Sequence, residues 1–177
     1  YSGLMVTRRG GNKLTSVWMN NVMKLNPNEN VDSQNTWIGL YRLVSRSNAA
    51  ISNATYDVSS TDSNQIRIND VVGHAFFSRA WAYFSLTRLW GDVPVWTGLP
   101  DSDNINKPKM PSKDVYQQII LDAEQAKVML NGSAGIGFPK AHAARMLLAK
   151  VYMLLATNPS LRGDGMSEMD YWNLAYQ

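Results

Sequence analysis

The run Gly73-His74-Ala75-Phe76-Phe77-Ser78-Arg79-Ala80-Trp81-Ala82-Tyr83-Phe84-Ser85-Leu86-Thr87-Arg88-Leu89-Trp90-Gly91-Asp92-Val93-Pro94 carries two apolar stripes at helical spacing. Phe76, Ala80, Tyr83, Thr87 and Trp90 form one, and Phe77, Trp81 and Phe84 form the other. Two stripes predict a helix from about Asp70 to Trp90 with two buried faces, enclosed by other helices rather than lying on a surface. Gly73, Ala75, Ala80 and Ala82 are small enough for neighbouring backbones to approach closely. The end of the helix is marked chemically. Gly91 suits a left-handed cap, Pro94 cannot continue a helix, and Val93 before it is pushed toward extended geometry.

On the N-terminal side, Trp37, Tyr41, Val44, Asn48 and Ile51 recur at spacings of 4, 3, 4 and 3, which predicts a helix over about 33–54 capped by Asp32 or Ser33. The Ser-, Asp- and Asn-rich stretch Thr55 to Asn69 reads as a connection, and the first thirty residues as a long ordered loop. On the C-terminal side, Gly91 to Pro111 holds Pro94, Pro100, Pro108 and Pro111 and reads as a long loop carrying an exposed Trp96. A third helix follows, with Ser112 as N-cap and Tyr116, Ile119, Ala123, Ala126 and Leu130 on its apolar face. After the turn Gly132 to Pro139, a fourth runs from about Lys140 to Thr157 with Ala144, Leu147, Leu148, Val151, Leu154 and Leu155 inward. Asp170-Tyr171-Trp172 opens a further helical pattern that is expected to leave an apolar edge. No strand alternation is evident. The predicted class is all-α, built of irregular tetratricopeptide-like helical hairpins with long loops, helix one with two and three with four.

The 177 residues are 45% hydrophobic and 18% charged, enough for one globular domain with a substantial core. The net charge of +3 is spread along the chain and too weak to argue for a nucleic-acid partner. No apolar run reaches the roughly 18 residues that span a bilayer, and the start at Tyr1 carries no signal-peptide pattern, so any targeting segment is expected to have been removed. The absence of cysteine excludes a disulfide framework, a thiolate metal site and a cysteine nucleophile.

Several short patterns resolve into structure rather than chemistry. Gly135-Ile136-Gly137 with Lys140 lacks the strand and further glycines of a phosphate loop and reads as a turn. Arg162-Gly163-Asp164 reads as a solvated loop, and Asp101-Ser102-Asp103-Asn104 lacks the glycine and distal glutamate of a calcium loop. His74 and His142 fall in helical patterns, and Asp92, Asp114, Asp122 and Glu124 sit at cap or helix-face positions, so no acid–base pair or metal site is expected. Most aromatic residues lie on helical stripes and read as core. Trp18, with Asn20 and Asn21 beside it, and Trp96 differ because they lie in predicted loops. An indole beside amides stacks on a sugar ring while bonding its hydroxyls, which makes these residues candidate ligand contacts; a buried loop anchor is the alternative for each.

The run from Gly73 to Pro94 resembles the signature of the SusD/RagB family of Bacteroidetes outer-membrane nutrient-binding lipoproteins, which reads roughly G-E-A-x-F-x-R-A-x-x-Y-F-x-L-x-R-x-F-G-D-V-P. Trp37-Ile38-Gly39-Leu40-Tyr41 with Asn48, Val115-Tyr116-Gln117-Gln118-Ile119 with Asp122, and Ala143-Ala144 with Leu148-Ala149-Lys150-Val151-Tyr152 agree in order. The resemblance covers about Trp37 to Tyr176, with His74 where the family run has Glu. It implies a non-enzymatic cell-surface protein of the outer membrane, without cofactor, that binds oligosaccharide or another nutrient and delivers it to a TonB-dependent transporter of the SusC type. Residues 1–177 are then expected to be the N-terminal helical domain of a longer protein, whose lipid anchor and much of whose ligand pocket lie outside this chain. Arg79, Arg88 and Asp92 fall in motifs that fix helix packing and the loop exit, so no ligand residue transfers by motif. The helical architecture alone equally allows a helical-repeat adaptor that binds only protein, and a glycosidase is the weaker third reading.

Overall fold

The computed structural model describes residues 31–99 and 106–176, with side chains from Ser33 onward. The chain divides into two compact units, 1–39 and 40–177. Of the first, residues 31–39 are described and are helical. The elements are α1 (Val31–Asn53), α2 (Ser63–Trp90), α3 (Ser112–Met129), α4 (Ala141–Thr157), a 3-10 turn at Pro159–Leu161, and α5 (Glu168–Tyr176). Extended pairing among the described residues is one isolated antiparallel bridge, Val93 to Met110, so the all-α class holds.

Three helix starts differ from the sequence reading. Asp32 and Ser33, expected to cap α1, lie inside it. α2 begins at Ser63, inside the stretch read as a connection, because the Asp62 carboxylate accepts hydrogen bonds from the Asn64 and Gln65 amides and caps the helix there. Of the polar residues that suggested a connection, Asn69 is buried and its amide nitrogen donates to the Asp57 carbonyl; one residue on, the Asp70 carboxylate accepts from the Asn131 amide in the turn after α3. α3 is likewise not capped by Ser112, which is its first residue. The Asp92 carboxylate reaches across from the loop exit and accepts from both the Ser112 amide and its hydroxyl, each at 2.7 Å.

α2 and α3 run antiparallel, as three tie points show: Asp70 to Asn131, Arg79 to Asp122, and Asp92 to Ser112. Their crossing is close at Gly73, where an added Cβ would lie 3.0 Å from the Met129 Cβ and 3.1 Å from the Leu130 amide nitrogen. α3 packs in turn on α4, and α4 on α5. Val72, Phe76, Ala126, Met129, Leu130 and Ala144 form a core cluster onto which Ile51 and Ala54 pack from the end of α1. Fully buried Leu86, Ile119, Leu147 and Leu155 extend the core along the helices, each contributing about 1.5–3 kcal/mol by leaving water.

The second stripe of α2 is not a buried face. Phe84 is buried and Phe77 half-buried, but Trp81 is 42% exposed, because the facing part of α4 presents Lys150 and Met153 instead of a close-packed apolar ridge. α5 buries Tyr171 against the Tyr152 ring, and the Tyr171 hydroxyl accepts from the Gly163 amide. Trp172 and Tyr176 stay exposed on the expected apolar edge. Arg162 does not lie in a solvated loop. It is half-buried and donates to the Leu155 and Ala156 carbonyls, satisfying groups that the end of α4 leaves open.

Candidate functional site

The chain leaves α2 through Gly91, whose φ of +72° ends the helix while its amide still donates to the Thr87 carbonyl. Extended backbone follows. Val93 and Val95 point into the core, so Pro94 and Trp96 between and beyond them stand half-buried at the surface. A loop with so few apolar anchors needs polar ones, and two helices supply them while a third braces those helices.

Arg79 and Tyr83 are one turn apart on the same side of α2. Arg79 donates from Nε and Nη2 to the two carboxylate oxygens of Asp122 on α3, at 2.8 and 2.7 Å, a bidentate pair in which both residues are at most 4% exposed. Its Nη1 donates to the Asn48 side-chain oxygen at 2.7 Å and to the Thr97 carbonyl at 2.8 Å. Asn48, buried on α1, turns its amide nitrogen to the carbonyls of Trp96 and Gly98. The Tyr83 hydroxyl donates to the Trp96 carbonyl and accepts from the Trp96 amide, and the Tyr41 hydroxyl donates to the Pro94 carbonyl. The backbone from Pro94 to Gly98 is thereby held by side chains of α1 and α2, themselves braced by α3.

The electrostatics fit a rigid scaffold. Burial pushes the Asp122 carboxyl above its ordinary range, against the opposing pull of the Arg79 guanidinium and the Gln118 amide. The ion pair is thus costly to desolvate, and what it supplies is geometry. Burial raises the Tyr83 phenol to about 12, with the Trp96 hydrogen bond and Arg79 opposing, and it raises Tyr41 as well. Both phenols are neutral donors at physiological pH.

Of the residues singled out by sequence, Trp96 lies on this loop, half-buried rather than exposed as expected, because its indole packs edge-on to Tyr41 with ring centroids 5.6 Å apart. Trp18, Asn20, Asn21 and the Asp101–Asn104 stretch lie outside the described residues. Asp92 ties the loop exit to α3 as expected, whereas Arg88, expected to fix helix packing, is exposed, with its guanidinium over the Phe84 ring. Asp122, read as a helix-face acid, is instead the buried partner of Arg79. Asn48 was visible as a polar residue on an apolar stripe, whereas nothing local marked Thr97 or Gly98. Among the described residues no group of three or more His, Cys, Asp or Glu side chains could hold a metal ion, and no helix is long and apolar enough to cross a membrane.

Comparison with known proteins gives a consistent result. A SusD-like family model, described as starch-binding associating with outer membrane, matches residues 4–153. SusD-like protein P2 of Formosa agariphila is 34% identical over 120 residues, 66% of this chain and 23% of that protein. A SusD-like protein of Bacteroides ovatus is 30% identical over 139 residues, 75% of this chain and 25% of that protein. The chain therefore spans about a quarter of the length of these curated relatives. Among solved structures, one determined with xylogluco-oligosaccharide superposes with a TM-score of 0.68 at 26% identity, over 93% of this chain and 31% of that one. A SusD-like protein from Bacteroides fragilis shares the fold, with a TM-score of 0.60 at 23% identity over 72% of this chain and 25% of that one.

Proposed function

This chain belongs to the SusD-like family, and from that premise we propose that it is part of a non-catalytic protein of the outer-membrane surface that binds oligosaccharide and passes it to a TonB-dependent transporter of the SusC type. The observation that carries the reading is the loop from Pro94 to Gly98, whose carbonyls are fixed by buried side chains while Trp96 stands at the surface. Sugars are recognised by an apolar platform with polar groups at set positions, and a platform on a fixed loop loses little conformational entropy when ligand arrives. The buried network here serves position rather than proton transfer. Trp96, together with Trp18, Asn20 and Asn21, is proposed to contribute to the ligand-facing surface. A captured glycan is too polar to cross a membrane unaided, so a binder of this type must hand it to a separate pore.

Calorimetric titration of the intact protein with xyloglucan oligosaccharides and with soluble starch tests the reading. At least one should bind, and the polysaccharide should keep its chain length. Trp96→Ala and Trp18→Ala should each weaken binding by about tenfold without lowering the melting temperature. If the Trp96 variant binds as before, Trp96 is a loop anchor and leaves the site. The intact protein purified in mild detergent should carry a TonB-dependent transporter in near-equal amount; repeated recovery of the binder alone would count against the pairing.

A further inference from the structure

A second feature of unit 40–177 lies away from the Trp96 loop. Between α2 and α4 runs an open groove of about 650 Å³, lined by Trp81, Phe84, Ser85 and Arg88 on one side and Lys150 and Met153 on the other. Its size is that of a small-ligand site. Trp81 is the most exposed aromatic residue on α2, with Phe77 stacked behind it at 6.5 Å. Among the described residues the charged groups on the walls are both cations. Arg88 lies 5.5 Å from the Phe84 ring centroid and Lys150 5.8 Å from that of Trp81, and neither has a carboxylate within ion-pair distance among the described residues. α4 has no acidic residue anywhere in its sequence, and none occurs from Gln125 to Gly163.

We propose that this groove is a second binding site, for a saccharide unit that bears a carboxylate or a sulfate, with Trp81 as its apolar platform and Arg88 and Lys150 as its anion partners. The inference rests on the reading of the chain as a glycan binder and adds to it a place and a charge class. An exposed cation over a ring is held weakly, whereas a charge-assisted hydrogen bond to an anionic oxygen is stronger. An incoming acidic sugar therefore draws both cations off the aromatic faces, and the movement of Lys150 clears the Trp81 face for stacking. Ser85 donates its hydroxyl proton to the Trp81 carbonyl, which leaves its oxygen able to accept from a sugar hydroxyl. A neutral sugar gains the ring but leaves the two cations without an anionic partner.

The test is an NMR titration of the intact protein, nitrogen-15 labelled at tryptophan and serine, with trigalacturonate, with a sulfated carrageenan disaccharide, and with a neutral xyloglucan heptasaccharide. The Trp81 indole and Ser85 amide signals should shift saturably with one or both of the acidic sugars, and the two probes separate carboxylate from sulfate. Arg88→Gln and Lys150→Gln, both at exposed positions, should each weaken that binding by about tenfold and leave the melting temperature unchanged. Added salt should weaken it further. A Trp81 signal that neither acidic sugar moves, an equal response to the neutral sugar, or unchanged affinity in the double variant would overturn the proposal. Failure of the general glycan-binding reading is seen separately, at the Trp96 indole in the neutral titration.

Discussion

Arg79→Met is expected to destabilise unit 40–177 by about 3–5 kcal/mol, because it leaves the Asp122 carboxylate buried without its cation. For a protein of this size that corresponds to a fall in melting temperature on the order of 10 °C. The double variant Arg79→Met/Asp122→Leu separates stability from geometry. Removing both charges ends the desolvation cost of the carboxylate, so most of the lost stability should return. The loop should not return with it, since the Asn48 side-chain oxygen and the Thr97 carbonyl still lack the donor that Arg79 gave them. Hydrogen exchange at the Trp96 amide, whose acceptor is Tyr83, should therefore remain faster than in the parent by about tenfold. A double variant with recovered stability and parental exchange at Trp96 would show that the ion pair does not position the loop.

The same network marks how far the sequence could be read. Helix periodicity located α1, α3 and α4 within a few residues, because each has one apolar face and ends at a strong signal such as Asn158-Pro159. It failed where polar residues do structural work. Asn69 read as part of a connection but is buried in α2, and Ser112 read as a cap although Asp92, twenty residues earlier, does the capping. The candidate site was legible in part. Trp96 stood out as a loop indole, and Asn48 broke an apolar stripe, but Asp122 looked like any helix-face acid. Its partner lies 43 residues away, and pairings at that range are set by how helices dock, which no local spacing encodes. Trp81 erred the other way. Its stripe position predicted burial, and only the neighbouring helix's choice of Lys150 and Met153 leaves it in an open groove.

Asp70 supplies the second large effect, at the opposite end of α2. Its fully buried carboxylate accepts from the amides of Asn131, Gly132 and Ala134 and from the Ser133 hydroxyl, so one side chain ties down the turn that follows α3. Burial alone would raise this carboxyl; the donors of Ala134, Gly132 and Ser133, with His74 3.6 Å away, together more than offset it and hold it below its ordinary value. A folded-state value below the unfolded one, about 3.9, stabilises the fold fully above that pH, and the contribution is lost as pH falls through the folded value. Asp70→Asn keeps the shape but turns an amide toward donors that need an acceptor, and should cost about 2–3 kcal/mol at neutral pH. Below about pH 4 the parent loses this advantage while the variant has none to lose, so their stabilities should converge on acidification. The exposed carboxylates of Asp57, Asp92, Asp164 and Asp170 are also held low and titrate in the same window in both proteins, so the difference between the two pH profiles isolates Asp70. Urea unfolding from pH 7 down to pH 3 measures it, and a stability gap that stays constant across that range would assign the turn's anchoring to shape rather than charge.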